Sequence, residues 1–148
     1  MGEDLLFQQL SVSAVLIAAT TFVHAVFVAA AAAIFRTVKG PVWGLFRFLR
    51  DSVVMVLLVL LLMTAHFIEI AMWTLTFLHF DLFPELETAL YFSAASYTTL
   101  GFGDVLAPAS WRLLSGAAAA NGLLLFGLSA AFLFDAVRQL HLAAPHEH

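Results

Sequence analysis

Polar positions along this chain are short interruptions in long apolar runs. Residues Leu10 to Phe35 are apolar apart from Ser11, Ser13, Thr20, Thr21 and His24. At 1.5 Å per residue this run makes about 39 Å of helix, enough to cross a bilayer with some tilt. Its alanine stretch, Ala29 to Ala33, offers a smooth surface for close helix packing. A cleaved signal peptide is a poor reading, because the run is too long and a basic segment follows it instead of preceding it. A second run occupies Ser52 to Phe80 and a third Leu113 to Val137.

Between the second and third runs the pattern changes. Asp81 to Pro84 precedes a segment, Glu85 to Tyr97, that predicts a helix too short to cross a bilayer. Proline suits a first helical turn, and Glu85 and Glu87 suit its positive end. The short helix leads directly into Thr98-Thr99-Leu100-Gly101-Phe102-Gly103-Asp104. Inside a membrane, such a loop can point consecutive carbonyls at a common axis, where they replace the hydration shell of a potassium ion. The glycines permit φ values that residues with a Cβ resist.

Composition supports the membrane reading throughout. Of 148 residues, 63% are hydrophobic and only 11% charged, where a soluble domain carries about a quarter charged residues. Mean hydropathy is +1.00. The absence of cysteine excludes disulfides and thiolate metal sites. Six Lys and Arg cannot build a surface that tracks phosphates, so nucleic acid is not an expected partner. Four of those six, Arg36, Lys39, Arg47 and Arg50, fall in one connector, which the positive-inside rule assigns to the cytoplasm. Gly40-Pro41 should break the helix there, and Trp43, Phe46 and Phe48 suggest a piece lying at the headgroup interface.

With these elements in order, the chain resembles a potassium channel of the pore-loop superfamily. It is closest to small prokaryotic proteins described as two-pore-type channels. The resemblance rests on Tyr91 to Asp104, on Trp111-Arg112-Leu113-Leu114, and on Gly122-Leu123-Leu124-Leu125-Phe126-Gly127. It implies an all-α membrane protein with three transmembrane helices, a re-entrant pore helix and a filter loop, assembled as a homotetramer. The expected divisions are a peripheral helix at 1–36, a cytoplasmic interfacial linker at 37–51, a pore domain at 52–138 and a cytoplasmic tail at 139–148. Within the pore domain the outer helix is expected at 52–80, the pore helix at 85–97, the filter at 98–104 and the inner helix at 111–138. The implied location is the plasma (inner) membrane, in contact with lipid, the N-terminus outside.

The resemblance also implies roles. Thr99, Leu100, Gly101, Phe102 and Gly103 would supply the ion-binding atoms, with K+ held at Thr99, Leu100, Gly101 and Phe102 as permeant ion and no further cofactor. Thr98, Tyr97 and Asp104 would support the filter. Leu100 and Phe102 depart from the common Thr-Val-Gly-Tyr-Gly, and the missing tyrosine hydroxyl removes one brace from behind. The position where some relatives carry a buried carboxyl is Ala95. His66 and Glu69, three apart on one helix face, could supply that brace near Ser96, Tyr97 or Thr98, or could simply glue helices. A third reading makes His24, His66 and Glu69 a metal site. Gly122 and Gly127 could hinge the inner helix or permit close packing against the pore helix. Asn121 could face the cavity or bond a neighbouring helix. Phe126, Phe132 and Phe134 could form an apolar constriction, and His141, His146 and His148 belong to the expected tail.

The first span carries no arginine ladder, so a voltage sensor is not expected. The short tail is expected to leave no room for a nucleotide- or calcium-binding domain. A weakly selective cation channel, an intramembrane metal-binding protein and a non-conducting accessory subunit are the competing functions. No His-Glu-x-x-His motif and no complete nucleophile motif is present, so no enzyme is expected.

Overall fold

The computed structural model describes residues 2–38 and 44–142. Lys39, Gly40, Pro41 and Trp43 of the basic connector, and His146 and His148 of the tail, lie outside the described residues. Among the described residues four α-helices follow in order: α1 (Gly2–Val38), α2 (Gly44–His79), α3 (Leu86–Tyr97) and α4 (Arg112–Leu142), the last entered through a 3₁₀ turn at Ala109–Trp111. There is no strand among the described residues. Three of the helices are long and apolar enough to cross a membrane, whereas α3 is about 18 Å long and is not.

Helix ends differ from the hydropathy boundaries, because solvent polarity does not stop a helix that lacks a breaker. α2 begins at Gly44, eight residues before Ser52, and takes in residues 44–51 of the segment expected to lie along the interface. Phe46 and Phe48 point outward from these added residues. Arg47 faces Asp51 one turn on at 3.6 Å and donates to the Leu140 carbonyl at 2.9 Å, tying the start of α2 to the end of α4. α4 itself continues into the expected tail, through Leu142. At its far end α2 stops where Asp81 takes a left-handed φ of 51°, a conformation Asp tolerates better than most residues. Pro84 lies just before the α3 N-cap, Glu85, and not within the first turn.

α1 and α4 both pack on α2, and α3 is wedged between α2 and α4. The wedge is aromatic: Phe92 of α3 lies edge-on to Phe77 of α2, with ring centres 5.3 Å apart, and against Phe83 at 4.7 Å. Trp73, Phe77 and Tyr97 are fully buried there. A second apolar cluster, Ala31, Phe35, Val54, Leu58 and Ala136, joins α1, α2 and α4 at the opposite end.

α1 inverts the usual pattern. Its buried positions, Gln9, Ser13, Thr20, His24, Ala31 and Phe35, step by four and seven residues along one face, and four of the six are polar. That eleven-residue period keeps a nearly straight helix in register with its neighbours. Polar atoms face protein and apolar atoms face outward, as a lipid surround requires.

Candidate functional site

The carboxyl end of α3 and the loop after it form one unit. Thr98 N–H donates to the Ala94 carbonyl, Thr99 N–H to Ser96 and Gly101 N–H to Ala95, at 2.9 to 3.1 Å. The Thr98 hydroxyl also donates to Ala94, at 2.7 Å. Beyond Thr98 the backbone alternates in hand. Thr99, Gly101 and Gly103 have φ of 60°, 49° and 79°, while Leu100 and Phe102 between them do not take positive φ. In an ordinary strand successive carbonyls point to opposite sides. Alternating the hand of successive residues cancels that reversal and turns neighbouring carbonyls toward one side, the carbonyl counterpart of an amide nest. The glycines accept this at no steric cost. Thr99 does not: a β-branched residue at positive φ is strained by about 1–3 kcal/mol.

The loop is exposed from Thr98 to Asp104. Leu100 and Phe102 present 57% and 69% of their surface, which makes an exposed apolar edge. Asp104 at the loop's end accepts from the Tyr91 hydroxyl of α3 at 2.8 Å. That hydrogen bond, with the carboxylate charge, raises the Tyr91 phenol above its ordinary value of 10.0.

Behind the loop lies a buried polar cluster drawn from all four helices. Glu69 is fully buried, His66 lies one turn before it on the same face of α2, and His24 comes from α1. His24 Nδ1 approaches Glu69 Oε1 at 2.9 Å, and His66 Nδ1 approaches Oε2 at 3.1 Å. The Tyr97 hydroxyl, from the last turn of α3, donates to Glu69 Oε2 and lies 3.2 Å from His66 Nδ1. On their other edges both imidazoles meet Ser129 Oγ of α4, His66 Nε2 at 3.0 Å and His24 Nε2 at 3.2 Å. The His66 ring stacks on Phe126 with centres 3.9 Å apart. One donor atom from each of His24, His66 and Glu69 lies within 4.8 Å of the others.

The residues expected from sequence therefore divide. His66, Glu69 and Tyr97 meet, and Glu69 reaches the residue preceding Thr98. Asn121 does not face an open cavity: it is buried and donates to Thr20 Oγ1 of α1 at 2.7 Å. Gly122 is a close-approach glycine, since a Cβ there would sit 1.9 Å from the Tyr97 carbonyl oxygen. Gly127, grouped with it as a packing or hinge residue, has nothing within 4 Å of a Cβ, so close packing does not explain it. Phe126 is turned onto His66 and Tyr97 instead of toward a constriction. Phe132 packs in the cluster at the opposite end, and Phe134 is exposed. His141 falls in the last turn of α4.

Sequence reasoning missed Ser129, Thr20 and Gln9, whose amide donates to the Ser110 carbonyl at 2.8 Å just before α4. The available signal was the polar stripe on α1, because a polar face on a membrane helix must turn toward protein.

A family model with the description ion channel matches residues 11–139. No curated protein and no solved structure matches the chain.

Proposed function

The chain belongs to the ion channel family, and we propose that four copies of it surround a potassium-selective pore lined by the carbonyls of Thr99, Leu100, Gly101 and Phe102, with Gly103 and Asp104 at the outer mouth. The observation that carries this reading is the alternation of positive φ at Thr99, Gly101 and Gly103. It supports a row of carbonyls on one side of the loop, and one row per chain becomes a ring only when chains are combined. The exposed Leu100 and Phe102 side chains then find their cover on neighbouring copies.

Electrostatics favours a cation. α3 ends at Tyr97, with Thr98 as its C-cap beside the loop, and the carboxyl end of a helix carries about −0.5 charge. In this reading α3 and the loop are re-entrant, the loop opening outside. α4 lines the inner path, and Arg36, Arg47 and Arg50 lie on the cytoplasmic side together with the C-terminus, in the plasma (inner) membrane. Glu69 acts through Tyr97 as the brace that the loop's own Phe102 lacks. Gating residues reduce to Gly122 and Gly127, since Asn121 is engaged with α1.

The test is reconstitution of the purified protein in liposomes, with reversal potentials under opposed potassium and sodium gradients. A reversal potential near the potassium equilibrium value is expected. A value midway between the two ions would replace this reading by a weakly selective cation pore. No flux from a fourfold assembly would leave an accessory subunit.

A further inference from the structure

The cluster behind the loop contains more converging donor atoms than a brace requires. His24 and His66 both turn Nδ1 toward the Glu69 carboxylate and Nε2 toward Ser129 Oγ. A neutral imidazole carries one hydrogen, and a serine hydroxyl offers one hydrogen and two acceptor sites. If both rings carry hydrogen on Nδ1, the single Ser129 hydrogen serves one Nε2 and leaves the other unpaired in a buried site. If His66 carries it on Nε2, Ser129 bridges the two rings, and the His66 Nδ1 lone pair must take a hydrogen from a protonated Glu69 or from the Tyr97 hydroxyl 3.2 Å away. Neutral rings are therefore all paired only with an added proton on Glu69 or with Tyr97 turned away from it, and a cation on the Nδ1 side meets the same demand.

We infer that His24, His66 and Glu69 form a site for a divalent transition metal of the zinc class, clasping α1 to α2 directly behind the glycine loop. A proton bridges two atoms, whereas here two imidazole nitrogens, a carboxylate and the Tyr97 hydroxyl converge. Two nitrogens and a carboxylate are a donor set suited to zinc. The Nδ1 to oxygen separations of 2.9 and 3.1 Å are a few tenths short of the roughly 3.3 Å between adjacent ligands at tetrahedral zinc. With metal on the Nδ1 side, both rings carry their hydrogen on Nε2, and the two lone pairs of Ser129 accept both. Metal-bound histidines almost always donate their outer N–H in this way. Tyr97, donating to Glu69, is a fourth oxygen at the same point and links the metal to the end of α3.

The experiment uses the full-length protein in detergent, stripped with chelator and titrated with Zn2+, and separately with Co2+, whose visible bands report tetrahedral nitrogen and oxygen ligands. His141, His146 and His148 are replaced by alanine in every sample. One ion per chain is expected, with Ser129→Ala weakening binding about 10- to 100-fold and His24→Gln abolishing it. Absence of saturable binding at one ion per chain, or binding that His24→Gln leaves unchanged, would overturn the inference and leave the cluster a proton-sharing hydrogen-bond network. The Co2+ spectrum of the otherwise unaltered protein decides the matter even where a variant fails to fold. Metal content is read without ion flux, so failure of the site and failure of the pore reading remain distinguishable.

Discussion

Gly122→Ala is the sharpest test of how the inner helix supports the loop. The added Cβ would lie 1.9 Å from the Tyr97 carbonyl oxygen and 2.8 Å from its carbonyl carbon. Real Cβ contacts essentially never fall below 3.0 Å, so α4 and the end of α3 must part by at least 3.0 − 1.9 = 1.1 Å. No rotamer change relieves this, because the obstructing atoms are backbone. Overpacking of this kind costs about 1–3 kcal/mol and occasionally more. Alanine also gains about 1 kcal/mol over glycine in a helix interior, which offsets part of the loss. Gly127→Ala collects the same helical gain and meets nothing. The difference between the two variants therefore isolates the overpacking, and about 1–3 kcal/mol is expected. Equilibrium unfolding in mixed micelles, followed by tryptophan fluorescence, measures it; potassium flux in liposomes reports whether the shift reaches Thr98 and Thr99. Equal stability for the two variants, with wild-type flux in Gly122→Ala, would refute the argument.

Three further outcomes follow from the same geometry. Glu69→Gln puts an amide where two imidazoles and a phenol converge, leaving buried partners unsatisfied at about 1–3 kcal/mol; potassium-over-sodium selectivity should fall, and unaltered permeation would sink the brace. Asn121→Leu should cost about 1 kcal/mol through the lost bond to Thr20 yet leave conductance unchanged, whereas a conductance change in single-channel records would return Asn121 to the pore wall. Tyr91 donates to Asp104 only while protonated, and its value is raised above 10.0. Its contribution is therefore complete below pH 10.0 and is lost as pH rises through the higher folded value. Phenolate absorbance in a Tyr97→Phe background should rise above that pH, and a midpoint below it would contradict the contact.

Much of this architecture was legible in the order of residues. Hydropathy alone marks three spans, because lipid demands about twenty apolar positions whatever they pack against. Glu85 to Tyr97 is legible as a short helix from its length and its acidic start. The glycines at 101 and 103 announce the backbone hand of the loop, since that property is local. The start of α2 at Gly44 was not legible, because a membrane boundary and a helix boundary obey different rules. Side-chain direction across helices was not legible either. His24 and Glu69 are 45 positions apart, and spacing on one helix says nothing of the rotation of another. The roles of Asn121, Gly122 and Phe126 turn on which side of α4 meets α1, α2 or α3. In a chain this uniformly apolar, the hydrophobic pattern does not choose that side. The choice falls to a few buried polar contacts, Glu69 with two histidines and Tyr97, Asn121 with Thr20, and to one glycine small enough to let two backbones touch.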